Sequence, residues 1–162
     1  MLRVSFVALL TIPATTESYP VFFAYAGIFA ALVFSNVGAA YGTAKSAIGI
    51  TNLGLVSPGK VFRALIPIIM AGILGIYGLI VAVLLNTKTK EISPALGYQF
   101  LGAGLTCGLS SLASGFAIGI AGEKLVQAYA QTEKIFIGMI LVLIFAEAIG
   151  LYGLIVSIIM TV

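Results

Sequence analysis

The sequence contains no histidine, no aspartate and no tryptophan, and Cys107 is its single cysteine. These absences exclude a histidine-dependent catalytic triad, a zinc site of histidine and cysteine ligands, and a disulfide within the chain. Charge is also scarce, because charged residues make up only 8% of the 162 positions. The net charge of +3 is too thinly spread for a nucleic-acid-binding surface. No cofactor is expected, and little conventional catalytic chemistry remains.

Apolar residues are what the sequence has in excess. They make up 61% of it, whereas a soluble domain has about 45–50%. They concentrate in four stretches, residues 21–44, 64–87, 92–122 and 135–162, the last interrupted only by Glu147. A hydrocarbon core of about 30 Å needs about 20 helical residues. We therefore predict an all-α protein of the lipid bilayer with four transmembrane helices and no soluble domain.

Polar and turn-forming residues predict where these helices end. Residues 52–54 and 57–59 separate the first two spans, and Pro58 is suited to open the second helix. Residues 86–94 separate the second and third spans. Residues 123–134 form a polar joint before the fourth, and their apolar members indicate that helix three continues past the bilayer.

Residues 1–20 form an apolar leader. Arg3 followed by the apolar residues 4–12 resembles the first two regions of a signal peptide, with a weak match to a cleavage site after them. The alternative is a short apolar segment lying at the membrane interface.

An internal repeat relates the two halves of the chain. Residues 71–81 align with residues 146–156 at an offset of 75, with seven of eleven positions identical, and residues 38–44 align with 115–121 at an offset of 77. We therefore predict a duplicated helical hairpin, residues 21–90 and 91–162, with the two extra residues in the loops.

Small residues recur every three or four positions on helices one and three, which places them on one face of each helix. The glycines of these stripes are Gly27, Gly38, Gly42, Gly49, Gly104, Gly108, Gly115, Gly119 and Gly122. Such stripes let helix backbones approach closely in lipid. Packing inside one four-helix bundle would explain them, but their length on both helices favours close packing among many identical hairpins.

Glu147 lies near the middle of the fourth span. A carboxylate there costs at least about 2.5–3.5 kcal/mol, and such residues are functional by default. The first hairpin has Gly72 at the matching position, where we expect little space. The pattern favours a group that takes up a proton in one environment and releases it in another. The alternative is a permanently protonated hydrogen-bond donor between helices.

Three segments resemble the proteolipid, or c, subunit of the eukaryotic vacuolar-type proton ATPase. They are GAAYGTAKSAIGI (38–50), IPIIMAGI (66–73) and LIFAEAIGLYGLIV (143–156). The resemblance covers residues 20–162. It implies a non-catalytic subunit of a membrane ring, with helices one and three inside and helices two and four outside. Glu147 would carry a proton past an arginine of the stator a subunit while ATP hydrolysis elsewhere turns the ring.

The resemblance also implies partners, a location and a cargo. The partners would be other proteolipids in a homo- or hetero-oligomeric ring, the a and d subunits and the peripheral ATPase sector. The membrane would be that of the vacuole or another acidic organelle.

The resemblance also bears on the site and on the ion it carries. Tyr77 matches a tyrosine that can hydrogen-bond the glutamate, although plain packing is the alternative. Ile73 and Leu74 replace the Thr-Gln pair of sodium-carrying relatives, so the proton is the expected cargo.

Two segments depart from the family pattern, residues 122–133 and the leader. They leave open whether the chain is the c or the c′ form, and Gly72 makes the c″ form less favoured.

The distribution of basic residues predicts the orientation in the membrane. Five basic residues flank loops 1–2 and 3–4, and three lie at the other end: Lys45, Lys60, Arg63, Lys124 and Lys134, against Arg3, Lys88 and Lys90. Both loops are therefore expected in the cytosol and both termini in the lumen.

Two alternative functions come from other classes. A stand-alone channel or transporter should carry more polar residues along its pore than a single Glu. A structural proteolipid of a membrane junction should not need Glu147.

Overall fold

The computed structural model describes residues 18–89 and 93–162. The predicted leader, with Arg3, falls almost wholly outside the described residues, and so does Lys90. The described chain forms four long helices, α1 (Ser18–Val56), α2 (Ile66–Thr87), α3 (Pro94–Gln131) and α4 (Ile135–Thr161). A 3₁₀ turn, Pro58–Lys60, and a single helical turn, Val61–Ala64, precede α2. Four segments are long and apolar enough to cross a membrane. The predicted all-α membrane fold is confirmed.

Local chemistry accounts for both ends of α3 but not for the end of α1. The Ser93 hydroxyl caps α3 by accepting a hydrogen bond of 3.3 Å from the Leu96 amide. α3 continues to Gln131, as predicted, because Val126 and Tyr129 are buried there. The predicted break at residues 52–54 is wrong, since α1 runs on to Val56. Leu53 is fully buried, which outweighs the cost of about 1 kcal/mol for a glycine such as Gly54 inside a helix.

The helices pack as an inner pair and an outer pair. α1 makes its most extensive contact with α3, while α2 packs mainly on α1 and α4 mainly on α3. Smaller contacts join α2 to α3 and α2 to α4. The inner pair therefore holds the two hairpins together.

The α1–α3 contact is a seam of glycine backbones. A Cβ atom on Gly104 would collide with the backbone of Gly27, and one on Gly115 would collide with the backbone of Gly38. The sequence favoured close packing between copies, but all nine stripe glycines contact other parts of the same chain. Packing within one bundle accounts for these contacts, because glycine alone lets two helix backbones approach this closely. A role for the same glycines between copies stays a prediction.

The two hairpins correspond at a constant offset of 75. Gly78 packs against Ser35 in the first hairpin, and their counterparts Gly153 and Ser110 make the same contact in the second. The expected two-residue length difference in the loops is therefore wrong. The glycine stripes align at 77 instead because they face each other across the seam and do not occupy equivalent positions.

Candidate functional site

Glu147 lies one residue before the midpoint of the 27-residue helix α4. Its side chain is half-buried, while Ala146 and Gly150 on the same helix are buried. The carboxyl group thus sits at the edge of the packed bundle, at a depth far from both ends of the helix. This is where charge is most costly in a membrane.

Tyr77 of α2 contacts this carboxyl group directly. The Tyr77 hydroxyl donates a hydrogen bond to Glu147 Oε1 with an oxygen–oxygen distance of 3.0 Å. Only 9% of Tyr77 is exposed, so the ring is held by its neighbours. The structure therefore brings together the two side chains that the sequence singled out on different hairpins, and the contact joins α2 to α4.

Two further residues fix α4 beside this pair. The hydroxyl of Ser114, on α3, donates a 2.7 Å hydrogen bond to the backbone carbonyl of Ala146, the residue before Glu147. Leu74 of α2 packs against Gly150, one helical turn after Glu147. Neither was predicted to support the site. Their signal in the sequence is weak, because a serine or leucine in a membrane helix usually marks ordinary packing.

The surroundings of Glu147 offer few ligands for a metal ion. Within residues 18–89 and 93–162, no three His, Cys, Asp or Glu side chains lie close enough to hold one. Ile73 is half-buried and Leu74 is fully buried, and neither side chain has an oxygen atom. A sodium ion needs several oxygen ligands, so this chemistry suits a proton better.

Gly72, the counterpart of Glu147, lies beside open space. A Cβ atom placed on Gly72 would have no described atom within 4 Å apart from its own helical turn. The expectation of little space there is therefore wrong for a single chain. The reason is that α2 presents Gly72 to an open groove between α1 and α2 instead of to a packed helix.

Ion pairs collect at the loop end of the bundle. Lys45 and Lys124 lie 3.5 and 3.7 Å from Glu123, and Lys60 lies 3.4 Å from Glu133. Lys60 also sits 5.4 Å from the centre of the Tyr129 ring. At the opposite end, the Lys88 ammonium group donates to the Thr161 carbonyl. The basic residues of the described chain are thus concentrated near loops 1–2 and 3–4.

A duplicated membrane hairpin with one hydrogen-bonded carboxyl group at mid-span defines a class, the ion-carrying proteolipids. The family model for the C subunit of ATP synthase matches the chain twice, at residues 26–85 and 101–160. The two matches are again 75 residues apart, in agreement with the duplicated hairpin.

Relatives from animals extend this result over nearly the whole chain. The 16 kDa proteolipid (the c subunit) of the V-type proton ATPase of Ascaris suum is 50% identical over 153 residues, which cover 91% of this chain and 95% of the relative. The human protein of the same name is 54% identical over 144 residues, covering 88% and 93%. The form of this proteolipid numbered c 2 in Caenorhabditis elegans is 49% identical over 151 residues, covering 91% and 94%. The chain therefore belongs to the family of the ATP synthase C subunit, in its V-type proton ATPase proteolipid branch.

Proposed function

We propose that the chain is a proton-carrying subunit of the rotor ring of a vacuolar-type ATPase. The observation that carries the proposal is the hydrogen-bonded pair of Tyr77 and Glu147 at mid-span. Glu147 accepts a proton where it faces one aqueous compartment and releases it where it faces the other. Tyr77 holds the carboxyl group in one position between these events, so that every copy presents its oxygen atoms at the same depth.

The half-buried position of Glu147 suits this role. A carboxyl group enclosed in the bundle could not meet a stator, whereas Glu147 lies at the surface of the outer helix pair. A positively charged group that passes this surface favours the ionised carboxylate and drives release of the proton. An arginine of the a subunit is the proposed partner.

The chain itself does no bond-making or bond-breaking chemistry in this proposal. ATP is hydrolysed by a peripheral sector, which couples to the ring through the d subunit, and the ring consists of several proteolipids. The excess of Lys and Arg near loops 1–2 and 3–4 supports a cytosolic position for that end and a lumenal position for the termini. The proposed membrane is that of the vacuole or another acidic organelle.

The other two functions have less support. A stand-alone channel needs a polar path through the bundle, but backbones meet along the α1–α3 seam. A junction protein gives no reason for the hydrogen bond between Tyr77 and Glu147.

Replacement of Glu147 by Gln tests the proposal. Glu147→Gln keeps the shape of the side chain and its capacity for hydrogen bonds but removes the ionisable proton. We expect the complex to assemble and ATP-driven acidification of isolated vesicles to be lost. Glu147→Asp should retain part of the activity, because the carboxyl group remains. Glu133→Gln is the matched control, since Glu133 is a largely exposed acid of the loop end. Acidification at the wild-type rate by Glu147→Gln, with no other proteolipid present to compensate, would contradict the proposal.

A further inference from the structure

The first hairpin has an open groove where the second hairpin has an occupied one. The open groove has a volume of about 330 Å³ and is lined by Leu32, Asn36, Gly72, Gly75, Ile76 and Leu79. Adding the repeat offset of 75 to Gly72 and Gly75 gives Glu147 and Gly150. At those positions the second hairpin receives two side chains of α2. Tyr77 bonds to Glu147, and Leu74 packs against Gly150.

The repeat also identifies the side chains that match this groove. The counterparts of Leu74 and Tyr77 are Ile149 and Tyr152, both on α4. They are exposed to 43% and 66% in the single chain, although Leu74 and Tyr77 are buried. The groove and its complement therefore lie on different parts of the same molecule and cannot meet within one chain, because α4 packs on α3 and α2.

We propose that Ile149 and Tyr152 of one copy fill the groove beside Gly72 of the next copy. The occupant is a second copy of this chain, because the side chains that fit are its own and their counterparts show the fit. A contact between two different patches is heterologous, and it closes into a ring when the rotation between copies allows it. This inference rests on the proposed function, in which the chain is a ring subunit.

Asn36 supplies the chemistry that Gly72 lacks. A tyrosine hydroxyl held in an apolar groove needs a hydrogen-bond partner, and Gly72 has no side chain to provide one. The Asn36 Nδ2 group donates a 2.9 Å hydrogen bond to the Leu32 carbonyl, which leaves its Oδ1 atom available. That Oδ1 atom borders the groove, 2.8 Å from the position of a Cβ on Gly75. The Tyr152 hydroxyl of the neighbouring copy therefore donates to Asn36 Oδ1.

The second hairpin supports this assignment by contrast. There, the residue 75 positions after Asn36 is Ser111, a shorter side chain, and the acceptor for Tyr77 is Glu147. The two grooves thus each have one acceptor for one tyrosine. In one groove the acceptor is a carboxyl group on the outer helix, and in the other it is an amide on the inner helix. The contact between copies would be neutral, and the contact within a copy would carry the ionisable group.

Cross-linking between tagged copies tests the contact. Two copies with different tags, each carrying Asn36→Cys, Tyr152→Cys and Cys107→Ala, are expressed together and treated in membranes with a short bifunctional thiol reagent. We expect a ladder of multimers that contains both tags. The control replaces Leu151 instead of Tyr152, since Leu151 lies about 100° around α4 from its neighbour. This control should give little cross-linking.

The outcomes separate the inference from the proposed function. An assembled complex that acidifies vesicles but shows no ladder would overturn the groove assignment and leave the ring proposal standing. An equal ladder with Leu151→Cys, or cross-links only to another proteolipid, would also overturn it. Failure of the unmodified chain to copurify with a peripheral ATPase would instead contradict the proposed function.

A double-mutant cycle tests the hydrogen bond without cysteines. Asn36→Ala and Tyr152→Phe should each lower the temperature at which detergent-extracted rings dissociate. The double variant should show no larger shift than one single variant, because both changes remove the same bond. Additive shifts, or no shift in either single variant, would overturn the assignment of Asn36 as the partner of Tyr152.

Discussion

The first and second hairpins pack their helices through equivalent contacts, but they differ in what fills the space beside the outer helix. In the second hairpin, Glu147 meets Tyr77 and Gly150 meets Leu74, so the groove is closed within the chain. In the first, Gly72 and Gly75 border an open groove. The packing has been kept in both halves, while the ionisable group is present in one half only.

This difference shows that packing and chemistry place separate demands on the repeat. Gly78 and Gly153 make the same contact in both halves, because each lets an inner serine approach the outer helix. The residue type can differ between positions 72 and 147, since neither residue takes part in the contact between these glycines and serines. A ring of such chains would carry one acid for every two hairpins.

The largest expected effect comes from breaking the seam that joins the halves. Gly115→Leu places a branched side chain against the backbone of Gly38, which cannot move aside. Overpacking of this kind costs about 1–3 kcal/mol or more, and we expect almost no folded chain in detergent extracts. Gly138→Leu is the control, because a Cβ there would have no described atom within 4 Å apart from its own helical turn. Wild-type yield of Gly115→Leu would mean that the hairpins do not meet along this seam.

Much of the fold could be predicted from the sequence, because it depends on hydropathy and on the spacing of glycines. The four spans, the duplication and the long helix α3 follow from those patterns. The seam could not be assigned, since a stripe of glycines indicates close approach without indicating which backbone approaches. The continuation of α1 through Gly54 was also hidden, because it depends on the burial of Leu53 by other helices.

Moving the acid from one hairpin to the other tests how far the halves are equivalent. The double variant Gly72→Glu with Glu147→Gly places the carboxyl group in the open groove, at nearly the same depth. The space beside Gly72 removes any large steric penalty within the chain. We expect acidification at about a tenth of the wild-type rate, because the carboxyl group loses the hydrogen bond from Tyr77, worth about 1 kcal/mol, and also has to share the groove with Ile149 and Tyr152 of the neighbouring copy.

The single variant Glu147→Gly is the reference for this swap, and it should not acidify vesicles at all. If the double variant assembles but is no more active than the single variant, the second hairpin supplies more than the acid. Tyr77 and the other neighbours of Glu147 would then decide the function of the site.

A smaller effect is expected from the hydroxyl of Tyr77. Tyr77→Phe keeps the buried ring and removes the 3.0 Å hydrogen bond to Glu147. A hydrogen bond contributes about 1 kcal/mol, so acidification per assembled complex should slow roughly fivefold. Tyr98→Phe is the control, since Tyr98 is 61% exposed on α3. An unchanged rate with Tyr77→Phe would indicate that the tyrosine only fills space.

The site was partly readable from the sequence. Glu147 stands out as an acid within an apolar span, and that signal needs no structure. The contacts of Ser114 and Leu74 could not be predicted, because each depends on the rotation of α4 against two other helices. Asn36 was missed for the same reason, since an amide in a membrane helix acquires a role only from the surface it borders.

The smallest expected effects concern two ion pairs that join the halves at the loop end. Glu123 pairs with Lys45 across the α1–α3 seam and has 15% of its side chain exposed, whereas Glu133 pairs with Lys60 and is 69% exposed. Exposed ion pairs contribute about 0–1 kcal/mol, and added salt weakens them. We expect Glu133→Gln to leave the thermal midpoint of the detergent-solubilised chain unchanged. Glu123→Gln should lower it by a few degrees, because Glu123 itself is largely shielded from water and lies where the inner helices meet. Measurement at low and high salt separates the two, since the pair of the more buried Glu123 should be screened less. Equal shifts for both variants would show that the burial of Glu123 at the α1–α3 seam adds no stability to its ion pair.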